Sequence, residues 1–198
     1  KTTGLDIAAK MIAEVKKNIK DTNDNINLVN ASVIQNPFEN STFDLSIGVG
    51  LLEYFEHPTH VLKEIRRIMK PNGAIIITFP NRLGISRLTG LPRTLPLFIP
   101  ARYKLSLIKL IKRIMGMPFD PSKYYVGNVF TVKKIKKISI ISGLKIEKIT
   151  FSGYFPTRIL GITLPKNISL KLGKFLEKKR TSSPWKYFGN NLIVTFKK

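Results

Sequence analysis

The fold is decided by residues 58–79, PTHVLKEIRRIMKPNGAIIITF, in which a helical pattern passes directly into a strand pattern. Proline opens the helix, and apolar residues spaced three and four apart form one stripe toward a core while charged residues face away. The helix stops at residues 70–73, because proline cannot continue it and Asn-Gly accepts positive φ. The unbroken apolar run over residues 74–79 is typical of a strand buried on both faces.

Helix and strand patterns alternate along the rest of the chain. An apolar stripe predicts a helix over residues 8–19, and a second lies between the N-cap Thr131 and the stop signal Gly143. Strands are predicted over residues 26–29, 43–49, 144–151 and 190–196. Within 144–151 the alternation slips by one position, which predicts a β-bulge. This order predicts an α/β fold, a Rossmann-like doubly wound and mostly parallel sheet with helices on both faces.

One segment interrupts the pattern. Residues 82–127 carry five prolines and no acidic residue before Asp120. They include a basic amphipathic helix pattern near Lys104 to Met117. We therefore expect an α/β core made of residues 1–81 and 128–198, and a basic, partly helical cap insertion over residues 82–127.

Composition limits the kinds of function. The 198 residues include no cysteine and two histidines, which excludes disulfides, thiolate metal sites and a metal centre built from histidine. Lys and Arg number 34 against 12 Asp and Glu, so the net charge of +22 attracts polyanions such as nucleic acid, anionic lipid or phosphorylated metabolites. No apolar run reaches the about 18 residues of a membrane-spanning helix, and no secretory signal pattern is present. We expect a cytoplasmic protein, with the membrane periphery as an alternative.

Four stretches, in order, resemble the small-molecule class I S-adenosylmethionine-dependent methyltransferases, in particular the group of menaquinone and ubiquinone biosynthesis. Residues 3–7 (TGLDI) resemble the end of that family's second strand, and residues 36–44 (NPFENSTFD) its entry to the fourth strand. Leu52-Glu53-Tyr54 with Pro58 resembles its LEH…P segment. Residues 62–73 (LKEIRRIMKPNG) resemble its helix and turn before the fifth strand. The resemblance implies S-adenosylmethionine as cofactor and a small molecule as methyl acceptor.

The resemblance also implies cofactor-binding positions. Asp6 stands where an acidic residue accepts hydrogen bonds from both ribose hydroxyls, with Ile7 against the adenine. Ser32 stands where the family often has an Asp that receives the adenine amino group, and Gly48 where the backbone approaches the cofactor closely. The full predicted set is Asp6, Ile7, Ala31, Ser32, Val33 and Gly48. Asp44 is interpreted as structural.

Glu53 and Tyr54 are the catalytic candidates, because the resemblance places them where the family's Glu-His faces the acceptor. Either side chain is suited to act as a base or hydrogen-bond partner. Some quinone O-methyltransferases bind a metal in this region, but Gly50 and Tyr54 stand in place of a Glu and the His, so no metal is predicted. No catalytic base is assigned.

The family's first strand and its glycine-rich loop have no counterpart in the sequence, and by the resemblance they would precede Lys1. We therefore expect an open slot in the sheet. Two alternatives remain beside a small-molecule methyltransferase. A nucleic-acid methyltransferase or RNA binder would suit the charge, and a noncatalytic protein at the surface of an anionic membrane would suit the predicted basic helix and Lys171, Lys174, Lys178, Lys179 and Arg180. The oligomeric state is left open.

Overall fold

The computed structural model describes residues 1–19, 25–88, 110, 113–114, 127–156, 158–159, 162–179, 182 and 184–198. Most of the expected cap, including the basic amphipathic pattern near Lys104 to Met117, lies outside these residues. The strands are β1 Thr2–Asp6, β2 Ile26–Asn30, β3 Phe43–Gly48, β4 Met69–Pro80, β5 Lys145–Ser152, β6 Arg158–Ile159, β7 Ile162–Thr163 and β8 Asn191–Lys197. The α-helices are α1 Ala9–Asn18, α2 Pro58–Ile68, α3 Ile85–Leu88, α4 Val132–Ile141 and α5 Lys166–Lys178.

The strands form a four-stranded sheet in the order β3-β4-β8-β5, a parallel pair β1-β2 and a short hairpin β6-β7. In the four-stranded sheet β3 and β4 are parallel, whereas β8 is antiparallel to both β4 and β5. β3, β4 and β5 therefore run in one direction and β8 alone runs against them. The prediction of a mostly parallel α/β sheet is confirmed.

An open slot in the sheet stays a prediction, and by the resemblance it would lie between β1 and β3. Among the described residues β1 pairs with β2 and β3 pairs with β4, and no pairing joins the two sheets. The side chains of Leu45 and Ile47 on β3 are 50% and 64% exposed. In the described part of the chain, β1 and β3 each have one strand neighbour, β2 and β4 respectively.

The core lies on one face of the four-stranded sheet, where α2 and α4 pack. It comprises Leu52, Val61, Leu62, Ile65, Met69, Ile75, Ile77, Phe79, Phe130, Ile135, Ile138, Leu144, Leu192, Val194 and Phe196. The expectation that β4 is buried on both faces is wrong, because Ala74, Ile76 and Thr78 on its other face are only half-buried. The core helices α2 and α4 cover the Ile75 face, so alternate residues of β4 differ in burial.

Two local expectations need correction. The first helix forms, but of its stripe only Ile12 is buried, and Met11 is 54% exposed, since α1 packs on the narrow β1-β2 pair. The turn over residues 70–73 is absorbed into β4, which begins at Met69. Asn72 does take the expected positive φ, 64°, where the pairing with β3 shifts register.

Other local signals hold. The Thr131 side chain accepts a hydrogen bond from the Lys134 backbone at 3.2 Å and caps α4, and Gly143 after the helix has φ of 67°. Ile146 pairs with Phe196 and Lys148 with Thr195, which leaves Glu147 as the extra residue of a bulge. The predicted bulge is confirmed.

Candidate functional site

The predicted site residues lie at or just beyond the carboxyl ends of parallel strands. Asp6 ends β1, Asn30 ends β2 with residues 31–33 following it, and Gly48 ends β3. In open α/β sheets ligands bind in the crevice outside the carboxyl ends of the strands. Asp6 and residues 31–33 follow strands of the β1-β2 pair, whereas Gly48 ends a strand of the four-stranded sheet, so the candidate site is divided between the two sheets.

Asp6 is held in a defined turn at the end of β1. Its Oδ1 accepts a hydrogen bond from the Ala8 backbone at 2.7 Å. A carboxylate has about four acceptor positions, so this turn leaves capacity for two ribose hydroxyls. Ile7 is 73% exposed, as a side chain lying against an adenine face must be before the ligand binds.

Asn30 fixes the position of the Asp6 turn. Its Nδ2 donates to the carbonyl oxygens of Asp6 and Ile7, each at 2.9 Å. The Ala31 backbone also donates to the Asp6 carbonyl, at 3.2 Å. The structure therefore brings Asp6, Ile7 and Ala31 together, and it adds Asn30, which the sequence argument missed. Its signal in the sequence was a polar amide at the end of a strand.

The next two predicted positions take different surroundings. Ser32 precedes a 3-10 turn over Val33–Gln35, and its carbonyl accepts from the Gln35 backbone at 3.2 Å. Val33 is half-buried and packs against the core cluster. Contact of Ser32 with the adenine amino group, and of Val33 with the cofactor, stays a prediction.

Gly48 has a packing reason to be glycine. A Cβ at this position would lie 3.3 Å from Leu51 Cδ2 and 3.6 Å from Ile77 Cγ1. Close approach of a cofactor to its backbone remains a prediction. Gly50, two residues on, has φ of 61°, and its backbone donates to Thr78 Oγ1 at 3.0 Å.

Glu53 and Tyr54 sit on a 3-10 turn, Leu52–Tyr54, that follows β3. Leu52 is fully buried and anchors the turn in the core, while Tyr54 is 64% exposed. Glu53 is half-buried, and its Oε2 is buried. A Cβ at Gly50 would lie 3.6 Å from Glu53 Oε1, so the backbone bend at Gly50 and the Glu53 carboxylate are neighbours.

The ends of the insertion are tied to this turn and to the end of β4. The Asn128 backbone donates to the Glu53 carbonyl at 2.9 Å, and Asn128 Nδ2 donates to the Phe55 carbonyl at 2.5 Å. The Arg82 backbone donates to the Phe130 carbonyl at 2.9 Å, and Phe130 donates to the Pro80 carbonyl at the same distance. Residues 82–127 thus leave and rejoin the core beside the Glu53 turn.

A buried amide network holds the end of β4 beside the start of β8. Asn81, 2% exposed, donates through Nδ2 to the carbonyls of Tyr187 and Gly189, at 2.8 and 2.7 Å. Its Oδ1 accepts from the Leu83 backbone at 3.1 Å, and its own backbone donates to the Asn190 carbonyl at 2.8 Å. Sequence analysis missed this role of Asn81, since its partners are distant in the chain.

Two charged groups of the resembling stretches have structural partners. Lys70 Nζ lies 2.9 Å from Asp44 Oδ1. Arg67 lies 2.6 Å from Glu64 Oε1, and this hydrogen bond lowers the pKa of Glu64, aided by Asn36, whose Nδ2 donates to the same oxygen at 3.0 Å. These contacts stabilise the loop before β3, and they agree with the structural interpretation of Asp44.

The described residues contain no group of three or more His, Cys, Asp and Glu side chains placed to hold a metal ion. Within the same part of the chain, no helix has the length and apolar character needed to cross a membrane.

Residues 1–77 match the family model described as a methyltransferase domain. A demethylmenaquinone methyltransferase of Staphylococcus haemolyticus is 33% identical over 122 residues, which are 61% of this chain and 45% of that protein. One of Bacillus cytotoxicus is 37% identical over 75 residues, which are 37% of this chain and 31% of that protein. The chain thus spans less than half the length of these two curated relatives.

Solved structures share the fold at low sequence identity. An S-adenosylmethionine-dependent methyltransferase from Mesorhizobium loti has a TM-score of 0.57 at 16% identity, with 99% of this chain and 79% of that chain covered. One from Archaeoglobus fulgidus has a TM-score of 0.53 at 16% identity, covering all of this chain and 76% of that chain. A [4+2]-cyclase, SpnF, has a TM-score of 0.54 at 12% identity over 99% of this chain and 65% of that one. The fold is therefore shared by proteins with different chemistry.

Proposed function

We propose that this chain, whose residues 1–77 belong to the methyltransferase domain family and whose fold is that of the class I methyltransferases, is part of an enzyme that methylates a small molecule with S-adenosylmethionine. The observation that carries the proposal is the position of Asp6 and Ile7. They lie at the carboxyl end of β1, inside the segment that matches the family model.

Asp6 and Ile7, at the end of β1, fit the nucleoside half of the cofactor. The Asp6 carboxylate suits two ribose hydroxyls, and the exposed Ile7 side chain offers an apolar surface to a planar base. Asn30 holds both backbones, so the acceptor and the apolar surface are preorganised before binding. We assign no described residue to the methionine half.

When bound, the cofactor supplies a methyl group on a positively charged sulfur. An acceptor lone pair forms the new bond to the methyl carbon while the carbon–sulfur bond breaks, and the electron pair stays on sulfur. The protein must align the acceptor and, for a hydroxyl or amine, take its proton. Glu53 and Tyr54 lie on a turn anchored by the buried Leu52, so we propose them for acceptor contact and proton removal.

The acceptor side is proposed to include the insertion. Residues 82–127 begin and end beside the Glu53 turn, because Asn128 and Phe130 bind the backbone of this turn and of β4. A segment rooted at this edge is well placed to contact an acceptor bound next to Glu53. The names of the curated relatives, demethylmenaquinone methyltransferases, favour a small-molecule acceptor over a nucleic acid.

The test is calorimetric titration of S-adenosylhomocysteine into the protein as its gene encodes it, beside residues 1–198. We expect binding by the encoded protein and its loss in Asp6→Ala, because the ribose acceptor is removed. Asp44→Ala is the matched control, since Asp44 pairs with Lys70 and should leave affinity unchanged. No binding by the encoded protein, or equal affinity for the Asp6 variant, would overturn the proposal.

A further inference from the structure

We propose that the outer face of α5 is a docking surface for an anionic phospholipid membrane. We define this surface by Ile168, Lys171, Lys174, Phe175, Lys178 and Lys179. Its residues lie outside the segment, 1–77, that matches the methyltransferase domain family model.

The inner face of α5 is fixed by close packing. Gly173 is buried against Phe155, so closely that a Cβ there would overlap the Phe155 ring. Leu176, one turn on, is also buried, and Ser169 Oγ donates to the Pro156 carbonyl at 2.8 Å. These contacts lie on one side of the helix, so the rotation of α5 on the protein is defined.

The opposite side combines apolar and basic residues. Ile168 and Phe175, seven positions apart and therefore on one side of the helix, are 48% and 58% exposed. Lys171 and Lys178 stand three positions after each of them and are exposed as well. An exposed phenylalanine and isoleucine among lysines suit a binding partner whose outer layer is anionic and whose interior, just below that layer, is apolar.

A phospholipid bilayer has both properties. Amphipathic helices with this composition lie in the interface, with the apolar side chains below the headgroups and the lysines among the phosphates. Each lysine near an anionic membrane adds to binding, and the helix carries one acidic residue, the half-buried Glu177, to oppose this. The net charge of +22 provides the long-range attraction.

The test is flotation of the whole protein with phosphatidylcholine vesicles, with and without phosphatidylglycerol. We expect binding that requires phosphatidylglycerol. Lys171→Gln/Lys174→Gln/Lys178→Gln should weaken it by on the order of a hundredfold. Ile168→Ser/Phe175→Ser should weaken it by at least roughly tenfold.

The α4 helix offers matched controls on another surface. Lys133→Gln/Lys136→Gln/Lys137→Gln removes the same charge, and Ile140→Ser/Ile141→Ser removes two exposed isoleucines. Both control proteins should bind as well as the unaltered protein. Equal losses in the α4 and α5 variants would overturn the docking surface, because binding would then follow total charge. Absence of binding, or equal binding to neutral vesicles, would also overturn it.

A second measurement does not depend on a loss of vesicle binding. Phe175→Trp in a Trp185→Phe background places the only tryptophan on the proposed surface. Brominated lipids should quench its fluorescence on vesicle binding. Vesicle-bound protein whose tryptophan fluorescence is not quenched would show that another surface meets the membrane, and would overturn the proposal.

Discussion

Asn128 holds the turn that carries Glu53: its backbone donates to the Glu53 carbonyl at 2.9 Å, and its side-chain Nδ2 donates to the Phe55 carbonyl at 2.5 Å. The residue that directly follows the insertion thus contacts the turn at two carbonyls. The backbone bond is available to any residue other than proline, but the second bond requires a side-chain donor of this length. The Asn128 amide therefore couples the root of the insertion to the proposed acceptor site.

Asn128→Ala should loosen the Glu53 turn. The Phe55 carbonyl loses its donor, and we expect the free energy of unfolding to fall by about 1 kcal/mol. Hydrogen exchange should accelerate at the backbone amides of residues 53–55 more than in β4. Asn40→Ala removes an exposed amide that accepts from Arg67, and should leave exchange at the turn unchanged. Unchanged exchange at residues 53–55 in Asn128→Ala would contradict the coupling.

Asn81→Ala should be among the most destabilising substitutions of a polar residue. The buried side chain makes three hydrogen bonds, to Tyr187, Gly189 and Leu83, and truncation leaves the buried Gly189 carbonyl and the partly buried Tyr187 carbonyl without this donor. We expect a loss of about 3 kcal/mol in urea denaturation, since each buried unsatisfied group costs about 1–3 kcal/mol.

The control for Asn81 is Asn27→Ala on the exposed side of β2, with a change of at most about 0.5 kcal/mol. A loss at Asn81 no larger than at Asn27 would mean that the amide network contributes little to stability.

Gly173→Ala should displace α5, because its methyl group meets the Phe155 ring. Overpacking of this kind costs about 1–3 kcal/mol. The double variant with Phe155→Ala should be less destabilised than the sum of the two single variants, since the ring that meets the methyl is gone. Thermal denaturation of the four proteins of this cycle measures the coupling. Strict additivity would mean that α5 does not pack on Phe155 through Gly173.

The sequence was sufficient for features that depend on near neighbours. The spacing of apolar residues over 58–68 predicts α2, the Asn72-Gly73 pair predicts positive φ, and the slipped alternation in 144–151 predicts the bulge at Glu147. Each signal is a local conformational preference that the tertiary contacts do not oppose. The glycine after α4 and its threonine N-cap belong to the same class.

The sequence was insufficient where the answer depends on distant partners. The insertion of β8 between β4 and β5 decides which strands are neighbours, and no residue of β8 encodes that choice by itself. The role of Asn81 depends on carbonyls of residues 187–189, and that of Asn30 on carbonyls of β1 and the turn after it. The prediction that β4 is buried on both faces was wrong, because an apolar run in the sequence does not indicate which face of the strand is covered by helices.

Stability should fall on acidification through the Glu64–Arg67 pair. The Arg67 hydrogen bonds hold the pKa of Glu64 below its ordinary value of 4.5, so the unfolded chain binds a proton at a higher pH than the native protein does. Unfolding then takes up a proton in this range, and stability rises with pH. The contribution of the pair is complete above about pH 4.5 and is lost as the pH falls through the lower native pKa.

A double-mutant cycle isolates this effect. Glu64→Gln, Arg67→Gln and the double variant, unfolded in urea at several pH values, should give a coupling energy of about 0.5–1 kcal/mol near neutral pH, since the pair is partly exposed. The coupling should shrink as the pH falls through the lowered native pKa of Glu64, because the carboxylate then becomes protonated in the native protein as well. A coupling energy that stays unchanged through acidification until the native protein has taken up its carboxylate protons would show that the charge of Glu64 does not contribute, and that its hydrogen bonds to Arg67 and Asn36 act as neutral contacts.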